Sequence, residues 1–339
     1  MHLSKIYYLH EVGAKPNQED YIWPVGGTAT LQNSVFIVCD GVGGSENGEV
    51  ASRVIAESLG KALLKCDTET MSADLMNKLL SDSQQEMVSY CSIHGLSRDM
   101  ATTLTVLILL DNKAFVAWCG DSRIYHIRNG EILYQSSDHS LVNSLVKNGE
   151  ITEEEAFNHP KKNIILRAVR ADLEPVEVDC DWILDIAGGD YFMLCTDGLL
   201  ENITNNDLGS LLVENDKGNI DIVQTFQQFC LNKTRDNYSM YLLKTKEQVR
   251  SNKYRPRILL LAAILLLLVL GSIFLIKAFY HNKSQDKTSS NVKSSAKHSV
   301  VKHKRDSVFY NEPTIFDDRR GYVIVDWLWC SYCQTGVIT

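Results

Sequence analysis

Residues 258–276 read ILLLAAILLLLVLGSIFLI, nineteen residues without a charge. As a helix, such a run is about 28 Å long and matches the hydrocarbon core of a bilayer. A buried core helix keeps a polar face toward solvent, and apart from Ser272 no polar side chain occurs here before Lys277. The run lies far from the N-terminus, so it is not a signal peptide. A transmembrane helix is therefore expected over 258–276. It separates a large N-terminal part of the 339-residue chain from a short tail.

Charge gives the orientation. Residues 1–243 hold 18 Lys and Arg against 35 Asp and Glu, whereas 244–257 (KTKEQVRSNKYRPR) hold six basic residues and one acid. The positive-inside rule then puts the N-terminal domain in the cytoplasm, with one pass through the membrane. The expected layout is a domain over 1–243, a basic juxtamembrane segment over 244–257 and the span over 258–276. A flexible linker over 277–306, rich in Ser, Lys and His, and a small extracytoplasmic tail segment over 307–339 follow. The cluster KHSVVKHKR at 297–305 reads as part of the solvated linker. The acidic domain lacks the basic footprint of a nucleic-acid binder. Nine cysteines are present, and the CxxC pair Cys330 and Cys333 supplies too few ligands for a closed zinc site. Outside the cytoplasm that pair is chemically free to form a disulfide.

Within 1–243, β-rich runs occupy 35–39, 103–110, 114–119, 123–128 and 191–195, and the turns at 111–113 and 128–131 suit hairpins. Helical periodicity covers 49–65, 72–94, 141–149, 152–158 and 221–230. Strands that follow one another through tight turns imply antiparallel sheets covered by long helical excursions. The fold class is α+β rather than a doubly wound alternation.

The run FIVCDGVGGSENGEVAS (36–52) stops abruptly at Asp40. An isolated Asp-Gly is an ordinary turn. The glycines at 41, 43, 44 and 48 match no phosphate-loop spacing. A strand-end carboxylate beside the free carbonyl of Gly41 also suits a hard divalent cation, provided other carboxylates join it. Candidates with the same placement are Asp121 after AFVAWCG, Asp197 after YFMLCT, Asp236 before Asn237, and Glu19-Asp20 beside Lys15. A site built of carboxylates favours Mg2+ or Mn2+ over zinc.

These pieces occur together in a recognisable order: KPNQED (15–20), CDGVGGSENGEVAS (39–52), MATTLTVL (100–107), GDSRIYHIRNGE (120–131), DHSLVNSLVKNGEIT (138–152), NIILRAV (163–169), LCTDGL (194–199) and RDNYS (235–239). Over 1–243 the chain resembles the metal-dependent protein serine/threonine phosphatases of the type 2C class, in their bacterial branch. The resemblance implies a four-layer α-β-β-α sandwich of two antiparallel sheets flanked by helices. It implies two Mn2+ or Mg2+ ions bridged by Asp40, with the Gly41 carbonyl on one of them. Asp197 and Asp236 would complete the first ion's shell, Glu19 would face the second, and Asp20 would hold its waters. Asp121 would help bind a third, weaker ion near the loop after Asp138-His139-Ser140. The implied reaction is in-line attack by a metal-bridging hydroxide on phosphoserine or phosphothreonine of cytoplasmic proteins, with no covalent intermediate. No cysteine begins a CxxxxxR loop, so cysteine-based phosphatase chemistry is excluded.

The chain departs from the family twice. Lys15 stands where members commonly carry an arginine that grips phosphate through two bonds, and offers a point charge instead. Val42 stands where many eukaryotic members have histidine. The implied partners are phosphorylated proteins, including a serine/threonine protein kinase or its substrates, met at a bacterial inner (cytoplasmic) membrane. The rival reading is a phosphatase-like membrane sensor that binds phosphoprotein with little catalysis. A phosphodiesterase is a third reading.

Overall fold

The computed structural model describes residues 2–42, 47–172, 174–247 and 264–277. The chain divides into two compact units, Met1–Ser251 and Asn252–Thr339. In the second, residues 264–277 form a helix with its leucines exposed. The first six residues of the expected span, 258–263, lie outside the described residues, and among the described residues no helix is long and apolar enough to cross a membrane. The linker and tail expected after residue 277, with Cys330 and Cys333, also lie outside them.

The first unit contains two five-stranded sheets. One runs, in spatial order, β1 (Leu3–Glu11), β12 (Tyr238–Thr245), β11 (Tyr191–Cys195), β7 (Arg123–Arg128) and β8 (Glu131–Gln135). The other runs β10 (Asp179–Ile183), β6 (Ala114–Cys119), β5 (Leu104–Leu109), β3 (Val35–Cys39) and β2 (Tyr21–Trp23). Every pairing in both sheets is antiparallel. A small ladder of β4 (Ala101–Thr102) and β9 (Val169–Arg170) stands apart.

The central strands β3 (VFIVC), β6 (AFVAWC) and β11 (YFMLC) are apolar throughout because each is buried on both faces. In β3, Val35, Ile37 and Cys39 face α1 (Gly48–Leu63) and α2 (Ala73–His94), while Phe36 and Val38 face the opposite sheet. In β11, Met193 and Cys195 face α6 (Asn205–Asp216) and α7 (Ile222–Cys230), while Phe192 and Leu194 enter the inter-sheet core. The layers are thus α-β-β-α, as the resemblance implied. Across the middle, Phe36 meets Tyr241 edge-to-face with ring centroids 5.1 Å apart. Three shorter helices complete the unit: α3 (Leu141–Lys147), α4 (Glu153–Phe157) and α5 (Asp197–Leu200).

The strand directions bring the candidate residues together. Asp40 and Asp121 follow the C-terminal ends of β3 and β6, and Asp197 follows that of β11. Asp20 and Asp236 precede β2 and β12, which run antiparallel to their neighbours. All five therefore emerge at one end of the sandwich.

Phe36 is fully buried between the sheets, so Phe36→Ala should cost about 3–5 kcal/mol of stability. Urea denaturation checks this, and a loss below about 1 kcal/mol would mean the inter-sheet core is not the main cohesive layer.

Candidate active site

The backbone at Asp40 is held by two threonines. The Asp40 N–H donates to Thr103 Oγ1 at 2.9 Å, and Thr102 Oγ1 donates to the Asp40 carbonyl at 2.8 Å. Thr103 Oγ1 lies 2.7 Å from Ser122 Oγ, which ties this segment to the one carrying Asp121. Gly41 donates its N–H to the Glu19 carbonyl at 3.0 Å, and the Ser52 hydroxyl donates to the same oxygen at 2.6 Å. A Cβ on Gly41 would stand 2.5 Å from the Gly48 carbonyl, so glycine is required where the chain passes the start of α1. Gly43 and Gly44 lie outside the described residues.

Asn237 organises the other side. Its amide group donates to the Val12 carbonyl at 2.7 Å and the Asn17 carbonyl at 2.9 Å, and its Oδ1 accepts the Glu19 N–H at 2.8 Å. One buried side chain thereby fixes the segment that bears Lys15, Glu19 and Asp20. Sequence reasoning assigned no role to Asn237, Thr102 or Thr103. The available signal was a polar side chain inside or against an otherwise apolar strand.

The carboxylates crowd one another. Asp20 is buried, accepts from Thr196 Oγ1 at 3.0 Å, and is pushed up to about 8 by burial and by the charges of Asp197 and Asp236. Asp197 rises to about 6, through burial and then Asp236. Asp40 lies well above its ordinary value, through burial and then Asp20, Asp197, Asp121 and Asp236. Asp121 is raised by burial, Asp197 and Asp138, and its Oδ1 is buried without a hydrogen-bond partner. The cation facing this group is Lys15, with Nζ 2.9 Å from Asp236 Oδ1 and 3.6 Å from Glu19 Oε2. Burial pulls Lys15 down, but the bond to Asp236 and the charges of Asp236, Glu19 and Asp40 raise it overall.

Among the described residues, no three His, Cys, Asp or Glu side chains already stand in a geometry that closes on one ion. The donor set nevertheless fits a hard divalent cation. It is made of oxygen, it is short of positive charge, and it leaves the Asp121 oxygen unpartnered. The nearby Cys39 is a poor thiolate donor, since burial pushes its thiol well up. Asp138 is engaged in a two-bond pair with Arg123 at 2.8 and 2.7 Å. His139 contacts Gly120 and not the carboxylates. Val42 is bonded through its backbone N–H to the Ala101 carbonyl at 3.1 Å. A cleft of about 680 Å3 opens over Asp121 and Asp197, walled by Arg123, Glu153, Phe157 and Lys162.

Hard-cation donors at the floor of an open cleft are the equipment of a metal-dependent hydrolase. A family model for protein phosphatase 2C matches residues 9–242. Protein phosphatase PhpP of Streptococcus pneumoniae (strain D39) is 33% identical over 253 residues, covering 72% of this chain and 98% of that protein. The crystal structure of serine/threonine phosphatase Stp1 from Staphylococcus aureus is 27% identical, with a TM-score of 0.61, over 73% of this chain and 96% of that one. The fold is also that of the catalytic domain of serine threonine protein phosphatase PstP, solved with two manganese ions (TM-score 0.59, 23% identity, 73% and 100% covered). The chain belongs to the protein phosphatase 2C family.

A carboxylate raised by crowding binds its proton more tightly in the folded than in the unfolded state. The stability tied to that proton is present below the ordinary value of about 4 and is lost as pH rises through the folded values. For Asp197 and Asp20 these are about 6 and about 8. In the presence of chelator, the melting temperature should therefore fall between pH 5 and pH 8, and Mn2+ should restore most of it at pH 8. A flat or rising profile would contradict the crowding.

Proposed function

We propose that this metal-dependent protein serine/threonine phosphatase hydrolyses phosphoserine and phosphothreonine esters of cytoplasmic proteins while tethered to the membrane by residues 258–276. The observation that carries the catalytic part is the convergence of Asp20, Asp40, Asp121, Asp197 and Asp236 at one end of the sandwich, beside an open cleft.

On this reading Asp40 would be shared by two cations and the Gly41 carbonyl would bind one of them, while Asp197 and Asp236 would complete the shell of the first. Glu19 and Asp20 serve the other, Asp20 through water, and Asp121 serves a third, weaker one. Mn2+ or Mg2+ held there would supply charge neutralisation at the phosphoryl oxygens and a water acidic enough to act near neutral pH. Thr102 and Thr103 fix Asp40 through its backbone, so the carboxylate is positioned before substrate arrives. The Lys15 ammonium is engaged with Asp236 and Glu19 and must turn from them to meet a phosphoryl oxygen. Its single point charge leaves the phosphate freer to rotate than a two-bond guanidinium grip would. Val42 offers no proton to the leaving alkoxide, which leaves that task to water.

Phosphate release from a phosphothreonine peptide should require Mn2+ or Mg2+, and Asp40→Asn should lower kcat by at least about a hundredfold. Metal-independent release, or an Asp40→Asn enzyme close to wild type, would overturn the assignment.

The membrane part rests on the uncharged run and its basic flank. Such a tether raises the effective concentration of the domain toward membrane-bound phosphoproteins, a serine/threonine kinase among them. The full chain should sediment with membranes and resist alkaline carbonate, while a chain ending at residue 251 should not. A full chain that stays in the supernatant would remove the tether.

A further inference from the structure

Gly120 links β6 to Asp121 and has φ +107°, a conformation open to glycine because a Cβ there would stand 2.7 Å from the Thr103 side chain. A residue without a side chain cannot be held by packing, so its peptide planes must be fixed by their hydrogen bonds. Both are supplied by one residue. The Gly120 N–H donates to His139 Nδ1 at 3.1 Å, and the His139 N–H donates to the Gly120 carbonyl at 2.8 Å. Accepting at Nδ1 places the ring proton on Nε2. That nitrogen lies 3.2 Å from Asp179 Oδ2 without forming a well-made hydrogen bond to it.

The ring is otherwise confined. It is almost wholly buried and lies parallel to Trp118 within 13°. Asp179 is gripped in turn by Arg167 at 2.7 Å, and the His139 carbonyl accepts the Leu166 N–H at 2.7 Å. Imidazole and backbone together thus tie the end of β6 to β10 and to the segment at 166–167. The next residue after Gly120 is the carboxylate whose Oδ1 is buried and unpartnered.

We propose that His139 is the positioning residue for Asp121: by holding both peptide groups of Gly120 it sets the aim of the Asp121 carboxylate into the cleft. The inference rests on reading Asp121 as a ligand of a divalent cation. It separates the two nitrogens of the ring, since Nδ1 carries the effect and Nε2 does not.

Mn2+ binding to the full chain, followed by the electron paramagnetic resonance of the free ion, tests it. His139→Ala should weaken the most weakly held class of Mn2+ by about 10- to 100-fold. His139→Asn, whose Oδ1 can stand where Nδ1 stood, should recover most of that loss. His139→Gln, whose polar end reaches the Nε2 position, should remain as weak as the alanine variant. The inference is overturned if the alanine variant binds all its Mn2+ as wild type does. It is also overturned if asparagine proves no better than alanine, in affinity or in folding, or if glutamine rescues equally well. A wild-type chain that binds no Mn2+ and releases no phosphate would sink the reading of the site itself. Mn2+ binding indifferent to residue 139 would sink this inference alone.

Discussion

Repulsion among carboxylates is the constraint on which the rest of this molecule depends. Asp20, Asp40, Asp121 and Asp197 are brought to one end of two packed sheets and partly withdrawn from water, and each is raised by burial and by neighbouring carboxylates. Lys15 offsets part of that charge through Asp236 and Glu19. Such an arrangement costs folding energy and persists only where the framework is stiff enough to impose it. Two antiparallel sheets with a shared dry core provide that stiffness. The cost is recovered when a doubly charged ion enters, which makes metal binding and stability one quantity.

The framework reaches the carboxylates through backbone bonds. Thr102 and Thr103 hold the main chain at Asp40, Asn237 holds it at Glu19, and His139 holds it at Gly120. At Asp121 the Oδ1 atom stays without a partner while the neighbouring peptide is fixed. A scaffold that instead bonded the carboxylates directly would satisfy them and leave nothing for a cation.

Much of this was legible in the sequence, for physical reasons that differ by element. Strands β3, β6, β7 and β11 fall where the apolar runs stop, because Asp-Gly, Gly-Asp and Asn-Gly end a buried strand sharply. The edge strands β1 (LSKIYYLHE) and β8 (EILYQ) were not read, since a half-solvated edge tolerates mixed polarity. Strand β12 was missed although seven of its eight residues are buried, because Ser239, Thr245 and Lys244 interrupt its apolar pattern. Helix α6 (NNDLGSLLVEND) carries Gly209 in its middle, which weakens a helical reading, while its Thr204–Asp207 capping box was the available clue. The candidate metal-binding acids could be named from the family pattern. Asn237 and His139 could not, because their partners are main-chain groups far away in sequence that only the fold brings near.

The opposite end of the same sandwich shows what a structural acid looks like by comparison. Asp190 is fully buried at the start of β11, and burial alone would push it up. His126 Nε2 lies 2.7 Å away, Arg128 donates from Nε and Nη2 at 2.8 and 2.9 Å, and the Ala187 N–H donates at 2.8 Å. Together these hold Asp190 well below the ordinary carboxylate range. The two ends of one strand therefore withdraw an aspartate from water, wholly at Asp190 and partly at Asp197, with opposite results. At Asp190 both oxygens are met by donors, and the residue pins strands together. Asp197, only seven positions later, meets other carboxylates where Asp190 meets donors, and its charge waits for a cation. Burial pushes both carboxylates up and so does not account for the difference. The sign of what surrounds each carboxylate does, and it places the chemistry at the Asp197 end.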